Sequence, residues 1–106
     1  MTPVITTVLH DLRTALNKLY GDELAGIVLY GSHARGDAET DSDIDVLVIL
    51  RKMESPCEEI DRTIDIVTDI SLNHNVVVSC VFVTEERYEK EQTPLLLNVR
   101  REGIAV

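Results

Sequence analysis

The sequence predicts an α/β (α+β) fold, a small mixed β-sheet flanked by helices. Three observations lead there. Long stretches near the start and middle repeat apolar residues at helical spacing. Three short runs, around 25–30, 43–50 and 76–83, are apolar or β-branched and bounded by turn residues. The two kinds of segment alternate along the chain, the order expected of a sheet covered by helices. At 106 residues the chain is read as one small domain, 1–106.

Thr2 to Tyr20 is the first helix. Val4, Ile5, Val8, Leu9, Leu12, Leu16 and Leu19 form its apolar face. Thr2 before Pro3 is an N-cap followed by proline at the first helical position, and Gly21 is the stop. Ala25 to Tyr30 reads as a buried strand. Gly31 to Ser42, rich in Gly, Asp, Ser and Thr, reads as a loop with room for one helical turn. Asp43 to Leu50 is the second strand. It begins by alternating, with Asp43 and Asp45 on one face, and ends apolar on both faces as a central strand does.

Arg51 to Cys57 is a connection containing Pro56. Glu58 to Leu72 is the second long helix, with Ile60, Ile64, Val67 and Ile70 as its apolar stripe. Glu58, Glu59, Asp61, Arg62, Asp65 and Asp69 surround that stripe with charge, and residues 73–75 end the helix. Val76 to Val83 reads as the third strand. Thr84 caps a charged helical start, Pro94 interrupts it, and Leu95 to Val99 continue as a helix ending near Gly103. Leu95, Leu96 and Leu97 exceed what one helix face needs.

Composition narrows the function. The net charge of −9 argues against binding DNA or RNA through phosphate neutralisation. It leaves room for a single nucleotide held through metal ions. Cys57 and Cys80 are the only cysteines, with no zinc-ligand spacing around them. No apolar run approaches the roughly 20 residues of a membrane span. The reading is a cytoplasmic protein with no membrane partner. A small domain has a modest core, so an apolar patch completed by a partner or by a second copy, as a homo-oligomer, is expected.

The informative segment is residues 29–50. Gly31 and Ser32 follow an apolar run, ten residues separate Ser32 from Asp43, and Asp45 follows two positions on. A small-residue turn brings backbone N–H groups close to an anion. Two carboxylates on one face of a strand suit a divalent cation that arrives with a triphosphate. Gly31, Ser32, Arg35 and Gly36 are therefore the nucleotide-binding candidates: the hydroxyl and backbone donate, Arg35 adds a charge-assisted contact, and Gly36 lets the loop bend. Asp43 and Asp45 are the catalytic and metal candidates, with Mg²⁺ as cofactor. The competing readings are ordinary. Asp is common at loop ends, Arg35 has Asp37 and Glu39 as surface partners, and a lone loop histidine such as His33 is usually exposed.

GSHARG, then DAETDS, then DID resembles the Gly-Ser…Asp-x-Asp signature of the polymerase-β-like nucleotidyltransferase superfamily. Length and element order are similar to its minimal, MNT-type members, from Gly21 to Gly103. The resemblance implies the polymerase-β-like nucleotidyltransferase fold. It implies that Gly31 and Ser32 bind the triphosphate of an NTP such as ATP and that Asp43 and Asp45 bind magnesium. It also implies a small helical HEPN-type partner in a toxin–antitoxin module. Family members complete the metal site with a third carboxylate on a neighbouring strand. The position aligned with it here is Ser79, and no Asp or Glu occurs from Val76 to Val83. A hydroxyl is no substitute for a carboxylate as base or anionic ligand at neutral pH. Glu85 and Glu86, just past the strand, are poor replacements.

Two functions follow. One is a Mg-dependent transferase moving a nucleoside monophosphate from an NTP to a hydroxyl on a partner protein. The other is a nucleotide-binding or antitoxin module that neutralises its HEPN-type partner by binding alone.

Overall fold

The computed structural model describes residues 2–39 and 41–106. Helix α1 spans Pro3–Tyr20, and strand β1 spans Leu24–Tyr30 after a 3-10 turn at Gly21–Glu23. A single helical turn, α2, covers Ser32–Arg35, and β2 covers Ile44–Leu50. Helix α3 (Pro56–His74), strand β3 (Val78–Thr84) and helices α4 (Glu85–Lys90) and α5 (Pro94–Glu102) follow, then a two-residue strand β4, Ile104–Ala105. The expected motif loop thus contains its helical turn; Thr40, within that loop, lies outside the described residues.

Helix starts are set by hydroxyl caps. Thr2, Ser55, Thr84 and Thr93 each accept a backbone N–H from the first turn that follows, and Pro3, Pro56 and Pro94 occupy positions that need no donor. Asn75, in the left-handed region at φ 53, ends α3.

The sheet order is β3-β2-β1-β4. β1 runs antiparallel to β2 and β4, while β3 runs parallel to β2. The parallel pair needs a crossover, and α3 provides it. Successive β2 residues serve opposite faces. Ile44, Val46, Val48 and Leu50 pack with α1 and α3; Leu47 and Ile49 pack with Leu96 and Val99 of α5. β2 is buried on both sides, as its apolar run predicts.

Two expectations fail on packing. In α3, Ile60 and Ile64 are 44% and 50% exposed, whereas Glu59 and Thr63 are 5% and 1% exposed. The helix is turned by about one position from the predicted stripe, with Ile70 alone of its four members buried. The rotation is possible because the buried polar groups are satisfied. Tyr20 Oη donates to Glu59 Oε1 at 2.7 Å, Arg62 lies 3.6 Å from the same oxygen, and the Thr63 hydroxyl donates to the Glu59 carbonyl at 2.7 Å. In α1, Val4 and Leu19, read as part of the apolar face, are 50% and 40% exposed at the helix ends.

Candidate functional site

The site sits where β1 ends and β2 begins, on the face shared with α4 and α5. Tyr30 of β1 is paired with Asp45 of β2, and Asp45 is in parallel register with Ser79 of β3. These three side chains form one row across the sheet, because register partners share a face. Asp43 precedes β2 and is exposed; Asp45 is half-buried within it.

Gly31 turns the chain at φ 78 and opens α2. A Cβ built on Gly31 would fall on Asp45 Oδ2. Glycine is required here twice, by the backbone conformation and by the carboxylate lying against it. The carbonyls of Gly31 and Ser32 accept the N–H groups of residues 34–37 at 3.0–3.1 Å. The N–H groups of Ser32 and His33 precede any intrahelical acceptor, so they point outward from the turn. His33 Nε2 donates to the Ser42 carbonyl at 3.1 Å and closes the motif loop at its base.

Burial raises the pKa of Asp45, the neighbouring Asp43 charge raises it further, and His33 and Arg35 oppose both. A half-buried carboxylate thus feels the charge of an exposed one beside it, the electrostatic condition a cation relieves. Oxygen ligands of this kind fit Mg²⁺, which uses one or two carboxylates and takes the rest from phosphate and water. Among the described residues no group of three His, Cys, Asp or Glu is placed to hold a metal ion by itself.

Arg35 is engaged. It lies 3.2 Å from Asp37, the surface partner the sequence suggested, and 3.2 Å from Glu102 at the end of α5. Glu102 carries no sequence signal, because 67 residues separate it from Arg35. Gly36 closes α2 at φ 85 in the left-handed region. A cleft of about 550 Å³ opens beside the loop between His33, Gly36, Glu39 and the first turn of α1. Another, of about 560 Å³, lies around Tyr20, Glu59 and Arg62 and includes none of the motif residues.

Ser79, in register with Asp45, is exposed on the edge strand. Glu85 begins beyond the far end of β3, roughly 20 Å along the strand from Ser79. It pairs there with Arg51 at 3.5 Å.

Known proteins share the fold and much of the matched span. Residues 9–102 match the family model described as a nucleotidyltransferase domain. "Putative protein adenylyltransferase MJ0141" of Methanocaldococcus jannaschii is 27% identical over 96% of this chain and 98% of its own. "Putative protein adenylyltransferase MJ0604" of the same organism is 34% identical over 78% of this chain and 77% of its own. Among solved structures, a toxin–antitoxin complex with AMP-PNP superposes with a TM-score of 0.63 at 19% identity, covering 90% of this chain and 69% of that one. The tri-AMPylated Shewanella oneidensis HEPN toxin in complex with MNT antitoxin gives 0.55 at 15%, covering 92% and 70%. No helix among the described residues is long and apolar enough to cross a membrane. The fold, the motif and the matched span together make this chain a nucleotidyltransferase, a member of the nucleotidyltransferase domain family.

Proposed function

We propose that this chain transfers AMP from ATP to a hydroxyl group of a partner protein, acting as a single minimal domain in the cytoplasm with Mg²⁺ as cofactor. The partner is of the small helical HEPN type in a toxin–antitoxin pair. The observation that carries the reading is the contact between Gly31 and the Asp45 carboxylate, which joins an anion-binding turn to a metal-type acid pair.

In this reading the N–H groups and hydroxyl of the Gly31–Ser32 turn hold the outer phosphates of the nucleotide. Arg35 exchanges an exposed carboxylate for phosphate oxygen, and Gly36 keeps the turn short. Asp43 and Asp45 hold the cation. When bound, the cation would supply positive charge to offset that of the phosphates. The acceptor oxygen bonds to the α-phosphorus, the bond to pyrophosphate breaks, and the hydroxyl proton leaves to solvent. The bland roles of Asp43 as a loop end and Arg35 as a surface ion pair explain neither the Gly31 contact nor the crowding of the two carboxylates.

A second reading is favoured by one feature, Ser79 in register with Asp45. It makes the chain a nucleotide-binding antitoxin that acts by binding its partner without turnover. Incubation with ATP labelled at the α-phosphate, Mg²⁺ and the HEPN-type partner distinguishes the two. Label on the partner that disappears in Asp43→Ala and Asp45→Ala is the expected result. Tight partner binding without label, untouched by those substitutions, would mean that the second reading is right.

A further inference from the structure

β3 is the outermost strand on one side of the sheet. The Ile44 N–H donates to the Val77 carbonyl at 2.8 Å, and Ile44 stands in parallel register with Val78. In a parallel ladder this commits the backbone groups of Ser79, Val81 and Val83 to β2 and turns those of Val78, Cys80, Phe82 and Thr84 outward. The Val78 N–H shows the direction by donating to the Ser71 hydroxyl at 3.3 Å. Cys80 and Phe82 have no strand to pair with on that side among the described residues.

A sheet edge is normally blunted by a charge, a proline, a bulge or a covering segment. Residues 76–83 hold no charged residue and no proline. The register of β3 with β2 is unbroken, so no bulge turns it away. The edge is also open: a groove of about 280 Å³ runs along it, with Cys80, Val81 and Phe82 lying between Ile60 of α3 and Leu95 of α5. A second hollow of about 210 Å³ continues the groove past Ile64 and Val67. Its walls are apolar, and Ile60, Ile64 and Leu95 are 44%, 50% and 37% exposed. The one charged residue lining either hollow is Arg87, which pairs with Glu91 at 2.8 Å.

We infer that a second copy of this chain occupies this edge, its β3 running antiparallel to the first about a twofold axis at Val81. Three observations choose that occupant. The outward backbone groups call for an extended strand, which a helical partner cannot supply because its own backbone groups are paired internally. The edge is self-complementary: with the axis at Val81, Cys80 of one copy faces Phe82 of the other, and each pair exchanges both backbone hydrogen bonds. Charge decides the rest. Two chains of net charge −9 repel, and the uncharged groove is a surface on which they meet without adding like charge to the contact. The pairing joins two sheets into one. Both α3 helices then lie on one face, with Ile60 of each beside the axis, and both Asp45 corners open on the other. Ile60 and Ile64, the stripe residues that α3 leaves outside its own core, gain apolar neighbours from the second copy. Stable interfaces engage about 20–30 residues a side, and this groove offers fewer, so a dissociation constant on the order of 10–100 µM is expected.

Sedimentation velocity on the full chain from about 5 to 500 µM tests this, with a single-chain mass expected at the lower end and a two-chain mass at the upper. Association should be tighter in about 0.5 M than in about 0.05 M NaCl, because salt screens the mutual repulsion. Amide exchange at the Cys80 and Phe82 N–H groups should slow about threefold or more between the dilute and concentrated samples. Ile60→Lys places a charge from each copy beside the axis and should weaken association about tenfold or more. Ile104→Lys makes the same exchange at a 40% exposed residue on the opposite side of the sheet and should leave association unchanged. Circular dichroism and thermal unfolding at about 5 µM establish that the variants are folded. Leu95→Lys, on the other wall of the groove, replaces Ile60→Lys should that variant fail to fold. A single-chain mass up to 500 µM, association weakened by salt, or unchanged Cys80 and Phe82 exchange in the associated form overturns the inference. So does a folded Ile60→Lys or Leu95→Lys that associates as tightly as wild type.

Discussion

Asp45 is under two opposed demands. The proposed role as a cation ligand needs its carboxylate ionised, yet burial and the Asp43 charge both favour its protonated form. The sign follows from linkage. Because the folded-state pKa lies above the unfolded value, the stabilising contribution of Asp45 is fully present below the usual carboxylate pKa. It is lost as pH rises through the raised folded value. At neutral pH the ionised Asp45 therefore destabilises the fold. Asp45→Asn should raise Tm at pH 7 by roughly 2 °C or more, and the difference should vanish near pH 3. The same substitution should lower nucleotidyl transfer by ~10³-fold or more, since in the proposed mechanism it removes a cation ligand and several kcal/mol of charge stabilisation. Thermal scans across pH and a labelled-transfer assay measure the two arms. Gly31→Ala is the complementary case. It places a methyl on the Asp45 carboxylate and puts a side chain at φ 78. Urea unfolding should show a loss of roughly 1–3 kcal/mol, with transfer activity reduced alongside.

The orientation of α3 is decided by packing rather than by hydrophobic periodicity. Ile60 and Ile64 fit the predicted stripe, but the buried positions are Glu59 and Thr63. Their polar atoms find partners in Tyr20, Arg62 and the helix backbone. Burial and the Glu59 carboxylate together push the Tyr20 hydroxyl well above its usual pKa, which keeps it a donor. Removing Glu59 would leave the Tyr20 hydroxyl without its acceptor in a half-buried position. Glu59→Ala should destabilise the protein by ~1–3 kcal/mol in urea titrations, while Ile64→Asn should change it by no more than about 0.5 kcal/mol. The predicted stripe would give the opposite ranking. Cys80 belongs to this layer as well. Burial pushes its thiol up to about 12, so it packs as a small apolar group.

At the scale of the whole molecule, the site depends on the antiparallel β1–β2 hairpin and the parallel β2–β3 pair meeting at one end of the sheet. The hairpin brings Tyr30 and Gly31 to Asp45, and the parallel pair brings Ser79. Leu47 anchors β2 between them and is fully buried. Leu47→Ala should cost roughly 2–5 kcal/mol and release the Asp45 end of the strand, read as lost protection in amide exchange across Val46–Val48. The charge of −9 is also a global property. Binding to single-stranded RNA should be undetectable in a mobility-shift titration even at 50 mM salt, the low end of the usual range.

Sequence alone determined the parts of this protein that local rules govern. The Thr2–Pro3 start of α1 and the Thr84 cap of α4 follow local rules, and runs of β-branched residues set β2 and β3, whereas Ser55 and Thr93 proved to be caps only in the folded chain. The resemblance carried by Gly31, Ser32, Asp43 and Asp45 pointed to the nucleotidyltransferase family, which the matched span bears out. It also located the departure at Ser79, because the matching strand contains no acid. Element ends shifted by one or two residues, as with β3, which begins at Val78 rather than Val76. Tertiary structure decided what depends on distant partners. The order β3-β2-β1-β4, the short strand β4 and the Glu102–Arg35 pair join residues far apart in the chain. The face that α3 buries was also settled there. Periodicity reports where apolar residues are, whereas burial follows which polar groups can find partners, and only the assembled molecule supplies those partners.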